Sequence, residues 1–323
     1  MDKMTMPAGR LTNFAACVAL MLAWLCAAPG ALAAKPWGDG YFPNSVVYDQ
    51  DGRALRFYDD VIKNKIVVVS FIFTTCKDLC PLTTARLAEV RQRLGDAVGR
   101  DVFMVSITID PEHDTPQALK TYSEAFQSGP GWLFLTGKPG EILEIRHKFG
   151  ELSRKKSEHT AEVMLGNDRT GEWARDSAFS DPALLVMNIR AMDPEWRDRK
   201  QDLPSVNSAS AQVPLPSLPG VAMFRKLCTA CHTIGKGDHV GPDLNGVTGR
   251  RDHDWLVNFI SDPDKTRRSK DAVVLAMAQK FKGATMPNLG LSLEDANDLL
   301  AYIEAESRAH DGKPSAAQAA KAD

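Results

Sequence analysis

The sequence predicts two folded domains of different class, a mixed α/β domain followed by an all-α domain. Three observations carry this. The 323 residues suit about two domains. Residues 35–192 hold two β-branched apolar runs, each followed by a helical period, whereas residues 220–308 hold helical patterns with loops between them. The cysteines outside the N-terminal segment form two close pairs, one in each half: Cys76 with Cys80, and Cys228 with Cys231. Two tight pairs read as two chemical sites and not as a disulfide framework. With 25% charged residues, 44% hydrophobic residues and a net charge of −2, the chain is an ordinary globular one. No stretch is basic enough for a nucleic-acid partner.

Residues 1–34 read as a targeting segment. Lys3 and Arg10 precede an apolar stretch from Phe14 to Ala28 that contains Cys17 and Cys26. Pro29-Gly30 breaks it, and Ala31-Leu32-Ala33 supplies a small-x-small cleavage pattern. The expectation is export to the periplasm, with a soluble chain after cleavage; an uncleaved anchor is the alternative. In the α/β domain, Lys65 to Phe73 and Val102 to Ile109 are expected as buried strands. Helices are expected from Pro81 to Leu94, Thr115 to Phe126 and Gly140 to Phe149. Further strands are expected at Trp132 to Leu135, Thr160 to Leu165 and Ala183 to Ile189. Residues 193–219 contain five prolines and four serines and no apolar period, a linker pattern. Ser292 and Asp295 form a capping box for a final helix, and residues 309–323 read as a disordered tail.

Cys228-Thr-Ala-Cys231-His232 is a C-x-x-C-H motif. Its two thiols can form thioethers to the vinyl groups of one haem, and the adjacent His reaches the iron. Gly241-Pro242 follows, and the Pro242 carbonyl can accept from His232 and fix its ring. Met223, Met277 and Met286 are candidates for the second axial ligand. Met223 shares a helix with the motif, and Met277 sits in a helical apolar face. Met286 lies in a loop before Pro287 and is the preferred ligand; His239 and His253 are the outside alternatives. CTACH, GPDLNGVTGR and TMPNLGLSLEDANDLLAYI together resemble a small class I cytochrome c over residues 220–305. The resemblance implies one covalent haem c, His232 and Met286 on its iron, and electron transfer.

Cys76-Lys-Asp-Leu-Cys80-Pro81 follows the first buried strand. Both thiols stand at a strand–helix junction, where a helix N-terminus favours thiolate, and Pro81 suits a first helical position. Two close thiolates suit Cu(I); they can also cycle as a redox dithiol. An imidazole should complete the site, with His113 and His159 both open on residue reading and His147 placed on the surface. IVVVSFIFTTCKDLCP, SITIDPEHDTP and EHTAEVMLGNDRTGEW resemble the Sco/SenC family over about residues 40–190. That resemblance implies a thioredoxin-like fold, one copper held by Cys76, Cys80 and His159, and service in assembling the CuA centre of cytochrome c oxidase. The implied partner is the oxidase subunit carrying CuA or another cuproprotein, with an external electron donor or acceptor. Glu158 stands where the family has Asp before the ligand His. A thioredoxin would place a cis-Pro at the His159-Thr160 position, a departure that favours metal over general thiol exchange.

Joining the two motifs weighs on function. Haem moves one electron, Cu(I)/Cu(II) moves one, and a dithiol–disulfide couple moves two. The sequence therefore favours a copper-handling assembly factor with its own haem over a thiol–disulfide oxidoreductase. A plain electron carrier or redox sensor is the third reading.

Overall fold

The computed structural model describes residues 37–198, apart from Asp39 and Asp78, and residues 219–312, apart from 282–283. The expected targeting segment with Cys17 and Cys26, most of the expected linker and the end of the expected tail lie outside the described residues.

The first domain is built on a seven-stranded sheet. Strands β1 (Val46–Tyr48) and β2 (Ala54–Arg56) form an antiparallel hairpin at one edge. β3 (Ile66–Ile72) is buried at every position, which is why its sequence is apolar throughout except at Ser70. It pairs in parallel with β4 (Val102–Thr108), the register running from Ile66 opposite Val102 to Ile72 opposite Thr108. Ser70 and Ser106 share a hydrogen bond at 2.8 Å, and the Ser106 hydroxyl also accepts from Trp132 Nε1, so the polar interruption is satisfied internally.

β5 (Trp132–Gly137) lies parallel to β4 on its far side. β6 (Glu162–Asn167) and β7 (Glu172–Ser177) close the other side antiparallel. The order is β2-β1-β5-β4-β3-β6-β7. Between β3 and β4 runs helix α1 (Leu79–Leu94). α2 (Pro116–Ala125) is capped by Thr115, and α3 (Pro139–Lys148) follows β5. β4-β3-β6-β7, with a helix crossing from β3 to β4 and an antiparallel pair completing the sheet, is the thioredoxin-like core, and β1, β2 and β5 extend it.

Ala183 to Ile189 is helical, not a strand. It belongs to α4 (Pro182–Ala191). Asp181 accepts from the Ala183 and Leu184 amides, and Pro182 occupies the first turn. Leu185, Val186 and Ile189 are buried while Leu184 and Met187 are exposed, a helical period that a short apolar run conceals. α1 begins at Leu79, two residues before Pro81, so Cys80 is inside the first turn. Within the expected linker, Pro194–Asp198 forms a short helix, α5.

In the second domain, helical turns cover Val221–Met223 and Phe224–Cys228 and end at the C-x-x-C-H turn. Helices α6 (His253–Ser261), α7 (Ala272–Lys280) and α8 (Leu293–His310) follow, α8 reaching into the expected tail. Its capping box has Ser292 and Asp295 bonded reciprocally, at 2.9 and 3.0 Å. Gly220 lies at φ +84°, and a Cβ there would meet Asp298 O at 2.3 Å, so only glycine lets the first helical turn cross α8 this closely. The two domains share apolar packing: Ala230 and Val240 are buried within the cluster that contains Cys80, Leu87 and Phe126.

Candidate copper and haem sites

Three loops meet at the C-terminal ends of β3 and β4. The first carries the dithiol. Its entry is pinned by Asp114, fully buried, which accepts from the Thr74 amide and hydroxyl and from the Thr108 hydroxyl. Cys76 N then donates to Phe73 O, and Cys80 N donates to Cys76 Sγ at 3.3 Å. Cys76 is half-buried, Cys80 is fully buried, and neither is in a disulfide.

The helix terminus does not make Cys80 a thiolate, as its position had suggested. Its thiol donates to Cys76 and is buried, and both effects push its pKa far above the ordinary thiol range. Cys80 is the donor of the pair, and Cys76 Sγ accepts from both its thiol and its amide.

The second loop carries His113, which is 64% exposed and paired with Asp110 at 2.9 Å. The third carries His159, just before β6. Its side chain is 3% exposed, its Nδ1 lies 3.2 Å from Glu151 Oε2, and its Nε2 is buried with no partner. Burial alone would raise the Glu151 carboxyl, but the bonds from His159 and Ser153 overcome it and hold the group at about 2. A buried imidazole with one nitrogen held by a carboxylate and the other unpartnered is built to bind something. A salt bridge between Lys156 and Asp110, at 2.5 Å, ties the second and third loops together. His147 is exposed on α3. Among the described residues no three Cys, His, Asp or Glu side chains are gathered into a ready metal cluster. Cys76, Cys80 and His159 belong to these neighbouring loops, but they do not close on a common point.

The second site is a cavity of about 320 Å³. Cys228, Cys231 and His232 line one part of it, and Met277, Met286 and Pro287 line another. Leu256, Phe259, Leu299 and Ile303 make it apolar. His232 N donates to Cys228 O, which closes the motif's turn, and His232 Nδ1 lies 2.9 Å from Pro242 O. A Cβ on Gly241 would stand 2.6 Å from His232 Cε1, so the backbone is laid against the ring with no room for a side chain.

Pro242 is fixed through its neighbour. Asp243 accepts from the amides of Gly235 at 2.9 Å, Gly237 at 2.5 Å and Asn245 at 2.8 Å. Burial would raise this carboxyl; those amides outweigh it and bring it to about 2. Burial lowers the His232 pKa and pushes the Cys228 and Cys231 thiols up to about 12, so the imidazole is neutral and the thiols protonated. An apolar cavity with two thiols, a neutral imidazole and a thioether suits a haem bound covalently.

Met277 and Met286 both reach this cavity, whereas Met223, His239 and His253 are not among its lining residues. The Met286 carbonyl accepts from Arg267 at 2.7 Å, which anchors its loop. Sequence reasoning did not single out Glu151, Asp114 or Asp243. Each acts by orienting another residue, and spacing alone carries no trace of that.

The fold and sites define a thioredoxin-like dithiol domain joined to a haem-binding helical domain, and comparison with known proteins agrees. Residues 46–176 match the SCO1/SenC family and residues 217–306 match cytochrome c. The SCO1 protein homolog of Bacillus subtilis is 31% identical over 147 residues, covering 45% of this chain and 74% of that protein. SCO1 homolog 1 of Arabidopsis thaliana, a mitochondrial protein, is 31% identical over 123 residues, 38% of this chain and 35% of that one. Among solved structures, Bradyrhizobium japonicum ScoI with copper bound is 25% identical, with a TM-score of 0.39 over 46% of this chain and 96% of that one. The chain belongs to the SCO1/SenC family and carries a cytochrome c domain after its Sco domain.

Proposed function

We propose that this protein is an exported copper-handling factor for assembly of the CuA centre of cytochrome c oxidase, or of another cuproprotein, with a built-in one-electron carrier. The observation that carries the reading is His159. Its buried, unpartnered Nε2 stands on a loop neighbouring the Cys76–Cys80 pair, with Nδ1 anchored by Glu151. A thiol exchanger needs no such imidazole, whereas copper cargo does. Cys76 and Cys80 take Cu(I) as the soft ligands, releasing their thiol protons to solvent, and His159 completes the set for Cu(II). Binding draws the three loops together from their separate hydrogen bonds.

In the second domain, Cys228 and Cys231 would hold a haem by thioethers, His232, its ring oriented by the Pro242 carbonyl, would ligate the iron, and Met286 would supply a second ligand. Bound there, haem supplies a one-electron donor or acceptor. Copper arriving as Cu(II) and leaving as Cu(I) requires one electron, which matches that capacity. The SCO1/SenC family match and a Stutzerimonas stutzeri relative, 30% identical over 108 residues and described as a putative copper-binding protein, support the cargo.

The test is copper stoichiometry of the haem-loaded chain with its dithiol reduced. One Cu(I) per chain is expected, lost in Cys76→Ser with Cys80→Ser. The reduced chain given one equivalent of Cu(II) should react at a rate independent of protein concentration. Equal copper affinity in the wild type and the double serine variant would overturn the reading.

A further inference from the structure

The cavity lined by Cys228, Cys231 and His232 is not built by the second domain alone. Pro81 and Phe126, both of the first domain, also line it. Pro81 directly follows Cys80 on α1, and Phe126 closes α2. Both are buried, Phe126 completely. The second domain meets this wall from its own side. Val240 is buried in the apolar cluster that contains Phe126, and Cys231 and Ala284 pack against that cluster. Val240, Cys231 and Ala284 line the cavity as well, so the first-domain wall stands on its Cys231 side.

The wall is keyed to the dithiol helix. The Phe126 ring packs on Tyr122, one turn earlier on α2, with centroids 4.7 Å apart. Tyr122 is buried, and its hydroxyl shares a hydrogen bond at 2.9 Å with Thr84 Oγ1. Thr84 lies one turn beyond Cys80 on the same face of α1. Phe126 is thus held in place through the helix that carries the dithiol.

We infer that Pro81 and Phe126 are part of the haem site: the first domain closes the cavity on its Cys231 side and keeps water from a haem held there. The inference rests on the electron-carrier reading of the second domain and needs no copper. A ferric haem carries one more positive charge than a ferrous one, so an apolar wall that excludes water disfavours the ferric state. No bond forms or breaks; the two side chains act only by excluding solvent. One boundary of the haem site is then the residue next to Cys80, and the two chemistries share a wall.

The experiment is a redox titration of the full haem-loaded chain followed by visible absorption. Phe126→Ala opens the wall, so at the wild-type midpoint the ferric-to-ferrous ratio should rise severalfold. Phe126→Leu keeps an apolar side chain there and should move the ratio less. Phe134→Ala is the control. Phe134 is as fully buried as Phe126, belongs to the same cluster and also packs on Tyr122, but it does not line the cavity. Its loss should loosen the first domain and leave the ratio at its wild-type value. An unchanged ratio in Phe126→Ala, or an equal shift in Phe134→Ala, would overturn the inference, the latter by showing general loosening as the cause. Should either alanine variant not fold, Phe126→Leu against Phe134→Leu decides in the same way. Failure of the electron-carrier reading would look different: the wild-type chain would hold no acid-resistant haem, before any variant is titrated.

Discussion

The two cysteine pairs differ by one residue of spacing, and the structure gives them opposite surroundings. Cys76 and Cys80 are turned on each other: an amide and a thiol of one residue donate to the sulfur of the next. Cys228 and Cys231 open onto a cavity beside His232. In the first pair the Cys80 pKa rises chiefly because its thiol donates to Cys76, and in the second both rise chiefly because the sulfurs are buried. Sulfurs that meet can exchange a proton for a metal ion and take it back. Sulfurs facing an apolar cavity suit permanent attachment, where reversibility is not wanted.

The sharpest way to break this comparison is to remove each pair. Cys76→Ser with Cys80→Ser should abolish stoichiometric Cu(I) binding and leave the haem spectrum unchanged, because a hydroxyl is a poor ligand for a soft ion. Cys228→Ala with Cys231→Ala should abolish acid-resistant haem attachment and leave Cu(I) binding intact. Loss of both properties in either variant would show that the sites are not separable. Next in size are the opposing ligands. Met286→Ala should remove the thioether-to-ferric-iron absorption band and lower the haem potential, while Met277→Ala leaves both in place; the reverse result would move the ligand to α7.

Smaller effects sharpen the comparison. His159→Ala should weaken Cu(II) far more than Cu(I), and Glu151→Gln should weaken Cu(II) by about 10–100-fold through loss of ring orientation. Cu(II) affinity unchanged in Glu151→Gln would mean that His159 needs no carboxylate behind it. In the other site, Gly241→Ala forces a methyl against the His232 ring and should cost about 1–3 kcal/mol in thermal unfolding, with an altered haem spectrum and unchanged copper affinity.

The smallest effect concerns acid. Asp243 is held at about 2 in the folded chain, below its ordinary value, so its contribution is fully present above the unfolded pKa near 3.8 and is lost as pH falls through the folded value. Asp243→Asn should therefore lower stability at neutral pH and flatten the acid limb between about pH 4 and 2. An acid limb identical to wild type would assign that titration elsewhere.

Local chemistry was legible in the chain. The β3 and β4 runs, the capping box at Ser292 and the C-x-x-C-H turn are short-range patterns, each decided by residues within a few positions. The Ala183 to Ile189 segment misled because seven residues are too few to separate a buried helix from a strand; the Asp181 cap decides it. The carboxylates behind the sites were not legible, since Glu151, Asp114 and Asp243 matter through partners up to 40 residues away.

The sequence by itself determined which chemistries this protein carries, because thiols, imidazole and thioether react as their residue types dictate wherever the fold sets them. Only the tertiary structure decided how the two are related. Ala230 and Val240 of the second domain are buried in the apolar cluster that holds Cys80, Leu87 and Phe126 of the first, and such long-range packing leaves no mark in any local pattern of residues.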